Sequence, residues 1–107
     1  MIDILKYSDF EGNVGKIVRI IGKISEVIWQ HLTTFIDTHP FMSYFDLEDE
    51  YQIVIYTKDS ISCEKKLEII GTLIKTEGKR KNPRSKINDE YFEYQLLVDA
   101  WKCFEIE

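Results

Sequence analysis

The phrase Ile20-Ile21-Gly22-Lys23-Ile24 returns 49 residues later as Ile69-Ile70-Gly71-Thr72-Leu73. In both places a glycine interrupts an alternating apolar run: Val18, Ile20, Gly22 and Ile24 first, then Leu67, Ile69, Gly71 and Leu73. Alternation of period two puts each set on one face of a strand. Glycine weakens a strand interior, so two at matched positions need a cause. The usual cause is a bend or bulge where a sheet turns a barrel corner. Two such strands in a chain of 107 residues point to a small closed barrel, an architecture that serves as a binding platform more often than as an enzyme.

At this length a single domain, 1–107, is expected, able to bury a core without disulfides or metal. A hydrophobic fraction of 44%, with 6 Tyr, 6 Phe and 2 Trp, excludes a disordered chain. No apolar run approaches the roughly 18 residues of a membrane span. Met1-Ile2-Asp3 opens without a basic or apolar leader. The expectation is a cytoplasmic or nucleoid-associated protein with no membrane contact. Cys63 and Cys103 make no framework and are expected to be buried or idle thiols. His31 and His39 have no Cys or His neighbours at a ligand spacing, so neither metal nor cofactor is expected.

The formal charge of −5 is unevenly spread. Residues 71–88 carry Lys75, Lys79, Arg80, Lys81, Arg84 and Lys86 against Glu77 alone. Residues 37–57 carry Asp37, Asp46, Glu48, Asp49 and Glu50 with no base, and residues 89–107 are also strongly acidic. A local field steers a polyanion even when the total charge is negative, although the distant acids oppose it.

The pattern predicts five strands: 16–28, 41–47, 51–57, 67–76 and 91–104. Residues 29–40 make a long, apolar connection that is either strand extension or a functional flap. Glu48-Asp49-Glu50 is a hairpin turn and 58–66 a short polar link. Residues 77–90 read as a loop holding the basic run. Residues 1–15 are mixed, with Ile2, Leu5, Tyr7 or Phe10 available to cover one barrel end. In the last strand either Leu96 and Val98 or Leu97, Asp99 and Trp101 face inward.

This order, with the glycine-bearing strands first and fourth, resembles the oligonucleotide/oligosaccharide-binding (OB) fold. The stretch Phe45-Asp46-Leu47-Glu48-Asp49 followed by Tyr51-Gln52-Ile53-Val54-Ile55 looks like that fold's second hairpin, with Asp49-Glu50 where many members have Asp-x-Thr-Gly. The resemblance covers about residues 14 to 104 and is similar to single-domain members such as the small subunits of replication protein A and archaeal single-strand binders. It implies an all-β, five-stranded Greek-key barrel with little helix, residues 1–15 replacing the helix that such barrels carry between strands three and four. It also implies a binding face on strands two and three, flanked by the loops joining strands one to two and four to five. A role in replication or repair goes with it.

On that face Tyr44 and Tyr56 are expected to point outward, where they either stack on bases or simply cap the sheet. Lys79, Arg80, Lys81, Arg84 and Lys86 supply phosphate contacts or merely a solvated loop. Arg19, Lys23 and Lys58 extend the basic track or are ordinary surface charges. Trp29, Leu32, Phe35 and Ile36 pack back on the barrel, hold a protein partner through the 29–36 loop, or stack on bases. No nucleophile–base arrangement and no phosphate-cradling glycine loop is visible, so no enzyme is expected. The expected function is binding of single-stranded DNA or RNA, with little sequence preference. The alternative is a non-catalytic interaction subunit of a larger complex.

Overall fold

The computed structural model describes residues 1–27, 31–80 and 89–104, and the side chains of these except 78–80 and 89–91. The alternating segments become six strands and one turn of 3-10 helix. They are β1 (Ile2–Ile4), the turn Tyr7–Phe10, β2 (Ile17–Ile24), β3 (Phe41–Leu47), β4 (Gln52–Thr57), β5 (Leu67–Arg80) and β6 (Asp89–Cys103). The sheet order is β2-β3-β4-β6-β5, and β5 pairs back onto β2, so five strands close into a barrel. Every pairing within the barrel is antiparallel except β4 with β6, where Ile55 and Thr57 stand opposite Leu96 and Val98 in parallel. The chain is all-β, with a strand order compatible with an OB-like barrel.

The two glycines sit where strands approach too closely for a side chain. A Cβ on Gly71 would lie 1.9 Å from the Leu97 carbonyl oxygen, and one on Gly22 would lie 2.2 Å from the Asp46 carbonyl oxygen. The β5–β6 register shifts between Ile70 and Gly71: Ile70 faces Ala100 and Gly71 faces Val98. That is the expected bulge at a barrel corner. Inward residues from all five strands, among them Val18, Phe45, Ile53, Ile55 and Leu73, form one buried core. Leu96 and Val98 belong to it, which fixes the facing of β6 there.

The N-terminal segment does two things. β1 runs parallel to β2, with Ile2 opposite Val18, and covers the stretch of β2 that β3 leaves unpaired. The Asp9 carboxylate accepts the Leu5 and Lys6 N–H groups at 3.0 and 3.1 Å and so shapes the 3-10 turn. The turn delivers Phe10, wholly buried, into the core. Tyr7 stacks on Tyr51 with centroids 4.6 Å apart and meets Tyr94 edge-on. Asp49 of the acidic turn accepts the Tyr7 N–H at 2.8 Å, so this turn anchors the plug. Leu5, expected to help cover the barrel, is exposed.

Three further expectations are corrected. The first barrel strand stops at Ile24 instead of reaching Ile28. Both ends of the stretch read as a basic loop, 77–80 and 89–90, are ladder: β5 and β6 stay paired out to Arg80 opposite Asp89. Cys63 and Cys103 are joined in a disulfide with Cα atoms 5.9 Å apart, because the register places Cys103 opposite Leu67, four residues beyond Cys63. Among the described residues no helix is long and apolar enough to cross a membrane.

Candidate nucleic-acid interface

Ile53 and Ile55 point into the barrel, so Gln52, Val54 and Tyr56 point out, as the alternation requires. They are nevertheless buried, Tyr56 to 1% exposure. The cover is the segment 31–39, a strap lying across the outer side of β4 and β6. Its hold is made by side chains of the face. Tyr56 Oη accepts the Thr34 N–H at 3.1 Å and donates to Gln95 Oε1 at 2.8 Å. Gln95 Nε2 donates to the Leu32 carbonyl at 2.6 Å, and the Glu93 carboxylate accepts the Leu32 N–H. His31 bridges the face, with Nε2 donating to Gln52 Oε1 at 2.8 Å and Nδ1 against Glu93. Gln52 is fixed in turn by three acceptors on its Nε2: Ser25 Oγ, the Val27 carbonyl and Asp46 Oδ1. Burial pushes the Tyr56 pKa up by disfavouring the phenolate, an effect the Thr34 N–H opposes and the Glu93 charge adds to.

Tyr56 is therefore not an open stacking ring, a correction that owes nothing to strand register. The residue faces the expected way, and a neighbouring segment covers it. Tyr44, half-buried beside it on β3, has the His31 ring 5.7 Å away at 37°. The other candidates fall into three places. Arg19 is held on β2 by Asp3 at 2.7 Å and Glu68 at 3.7 Å, away from the β3–β4 face, and the Asp3 hydrogen bond raises its pKa. Lys23 stands opposite Asp46 and lines a groove of about 380 Å³ with Glu26 and Glu64, a setting too acidic for a phosphate track. Lys58 lies at the end of β4, 3.8 Å from Asp99, which His39 also contacts. The structure does not bring these three bases together into one track.

Trp29, Lys81, Arg84 and Lys86 lie outside the described residues, and the side chains of Lys79 and Arg80 do as well. The backbone of 79 and 80 is informative all the same. β2 leaves β5 at Thr72, and the parallel pairing of β4 begins at Leu96 of β6. Beyond those points β5 and β6 pair only with each other, through seven rungs from Ile74–Gln95 to Arg80–Asp89. At the strand rise this is a two-stranded arm about 20 Å long. It sets Lys79 opposite Glu90 and Arg80 opposite Asp89, and between its ends the sequence 81–88 holds Lys81, Arg84 and Lys86 with no acid.

Sequence reasoning missed Phe92. This arm residue is 46% exposed, with Lys75 Nζ 4.2 Å over its ring. Its only signal was an aromatic residue in a polar ribbon. His31, weighed only as a metal ligand, and Glu93 and Gln95 of the strap contacts were missed too. Among the described residues no group of three or more His, Cys, Asp and Glu side chains gathers to hold a metal ion. The fold and site define a small closed all-β barrel with one added strand and a long two-stranded arm. No family model, no curated protein and no solved structure matches the chain.

Proposed function

We propose that the chain is a non-catalytic binder of single-stranded nucleic acid, DNA in the first instance, built on an OB-type barrel and using the β5–β6 arm as its primary contact. The observation that carries this reading is the arm itself. Its ladder continues seven rungs past the last barrel pairing, and the sequence that joins its two ends carries Lys81, Arg84 and Lys86 with no acid in a chain of net charge −5. Lys81, Arg84 and Lys86 are the first phosphate contacts, since Lys79 and Arg80 stand opposite acids. Phe92 offers a ring on which a base can stack beside the Lys75 ammonium. Such contacts read no base edges, so sequence preference is slight.

Replacing Lys81, Arg84 and Lys86 together by glutamine tests the reading. The variant is expected to lose most affinity for a labelled oligonucleotide while the barrel's thermal midpoint stays unchanged. Unaltered binding would remove the arm from the account.

A second reading, an interaction subunit, is favoured by one observation. Phe35 on the strap is 73% exposed. It follows Thr34, which Tyr56 holds, and Met42, the cross-strand partner of Tyr56, is exposed as well. An apolar protein contact there is largely indifferent to salt, whereas phosphate binding is not.

A further inference from the structure

The strap is attached differently from the rest of the chain. Residues 31–40 contain no strand, and within them the described backbone hydrogen bonding is His39 N–H to the Ile36 carbonyl at 3.0 Å. Among the described residues the remaining hydrogen bonds that pin the strap to the barrel come from side chains of its face: Gln52, Tyr56, Glu93 and Gln95, with Asp99 on His39 at 3.3 Å. Lifting the strap breaks no rung of the barrel ladder. It uncovers a wholly buried Val54 and Tyr56 next to the half-buried Tyr44. These belong to the outer side, since neither Val54 nor Tyr56 is part of the barrel core.

What the strap gives to this face is also what a nucleobase has to offer. The Leu32 peptide presents an N–H to Glu93 and a carbonyl to Gln95. Every base carries a donor beside an acceptor on its pairing edge, and unpaired bases are read there. The His31 ring occupies the space beside Tyr44, tilted by 37° with centroids 5.7 Å apart.

We propose that residues 31–39 form a displaceable strap that closes a second, latent base-binding face. That face is made of Tyr44, Val54, Tyr56, Glu93 and Gln95. A strand held by the arm competes with the strap for this face. The inference deepens the nucleic-acid reading and rests on it for the nature of the competitor. Closure lowers apparent affinity by the fraction of molecules whose face is open.

The test uses a variant that weakens the latch without touching the face. Leu32→Pro with Thr34→Pro removes the two N–H groups that Glu93 and Tyr56 accept, because proline has none. His31→Ala is the second variant, should the first disturb folding. Amide exchange over 31–39 reports opening, and a labelled thymidine oligonucleotide reports binding. Faster exchange is expected, with affinity raised about tenfold, the gain when a competent state at roughly a tenth of the population becomes dominant. Tyrosine fluorescence of the opened protein should be quenched by the oligonucleotide. A strap that opens with affinity and quenching unchanged overturns the proposal, as does one that stays protected after losing both donors. Failure of the basic segment is separate: it shows as a glutamine-substituted 81–86 segment binding like the natural one, whereas quenching through the opened face reads Tyr44 and Tyr56, which lie on β3 and β4.

Discussion

Replacing Gly71 by alanine tests the corner geometry on which the barrel depends. The added Cβ would stand 1.9 Å from the Leu97 carbonyl oxygen, 2.7 Å from its carbon and 2.9 Å from Val98 Cα. All three are backbone atoms of β6, so no rotamer change relieves the clash. The strands must separate by more than an ångström at the bulge, where β5 is also paired to β2 on its other side. Losing about two ladder hydrogen bonds at ~1 kcal/mol each, with overpacking strain of roughly 1–3 kcal/mol, outweighs the ~0.4–1 kcal/mol gained by restricting the unfolded chain. The expected loss is about 3 kcal/mol, or roughly 10–20 °C in thermal midpoint for a domain of this size. Urea unfolding followed by circular dichroism measures it. Gly12→Ala is the control: its φ of 82° strains an added side chain, but nothing lies within 4 Å of the new atom. That substitution should cost about 1–2 kcal/mol. If Gly71→Ala costs no more than the control, close strand approach is not what the glycine is for.

Other outcomes follow from the same contacts. Reducing the Cys63–Cys103 disulfide, which closes a loop with a sequence separation of 40, should lower stability by about 4 kcal/mol in the chain-entropy picture, read as a shift in urea midpoint with and without reductant. The folded pKa values of Tyr7 and Tyr56 are raised from 10.0, chiefly by burial. The stability they contribute is therefore full below about pH 10 and is lost as pH rises through their folded values. Phenolate absorbance should show Tyr7 and Tyr56 titrating late, and one late group should vanish in Tyr56→Phe. Arg19→Ala should leave oligonucleotide affinity unchanged in a titration at low salt, because Asp3 and Glu68 already hold the guanidinium on β2.

The barrel was legible because its signals are local and repeated. Glycine inside two alternating runs marked Gly22 and Gly71, and β3 begins and ends at the predicted residues. Alternation also assigned Tyr56 to the outer side. It could not reveal that residues 31–39 lie over that side, since burial of an outward residue depends on a segment distant in sequence. The outer end of the arm, 77–80 with 89–90, was read as loop for a related reason. There Glu77-Gly78-Lys79-Arg80 lacks the apolar alternation that announces a strand, and Gly78 with Asn82-Pro83 suggests a turn. β1 is three residues long, too short for a period to show. The disulfide was hidden because only the register, with Cys103 opposite Leu67, brings the two cysteines together. At the acidic turn the departure from a glycine-bearing pattern has a visible consequence: Glu50 takes a φ of 74°, the left-handed position glycine fills more easily.

The most direct measurement is the salt dependence of binding between the intact chain and a labelled single-stranded oligonucleotide. With three phosphates neutralised by Lys81, Arg84 and Lys86, the logarithm of affinity should fall against the logarithm of salt with a slope of about −2. That is close to a twentyfold loss between roughly 50 and 200 mM salt. A duplex of the same sequence should bind less tightly. No binding at the lowest salt, or binding indifferent to salt, would contradict the account and turn attention to a protein partner at Phe35.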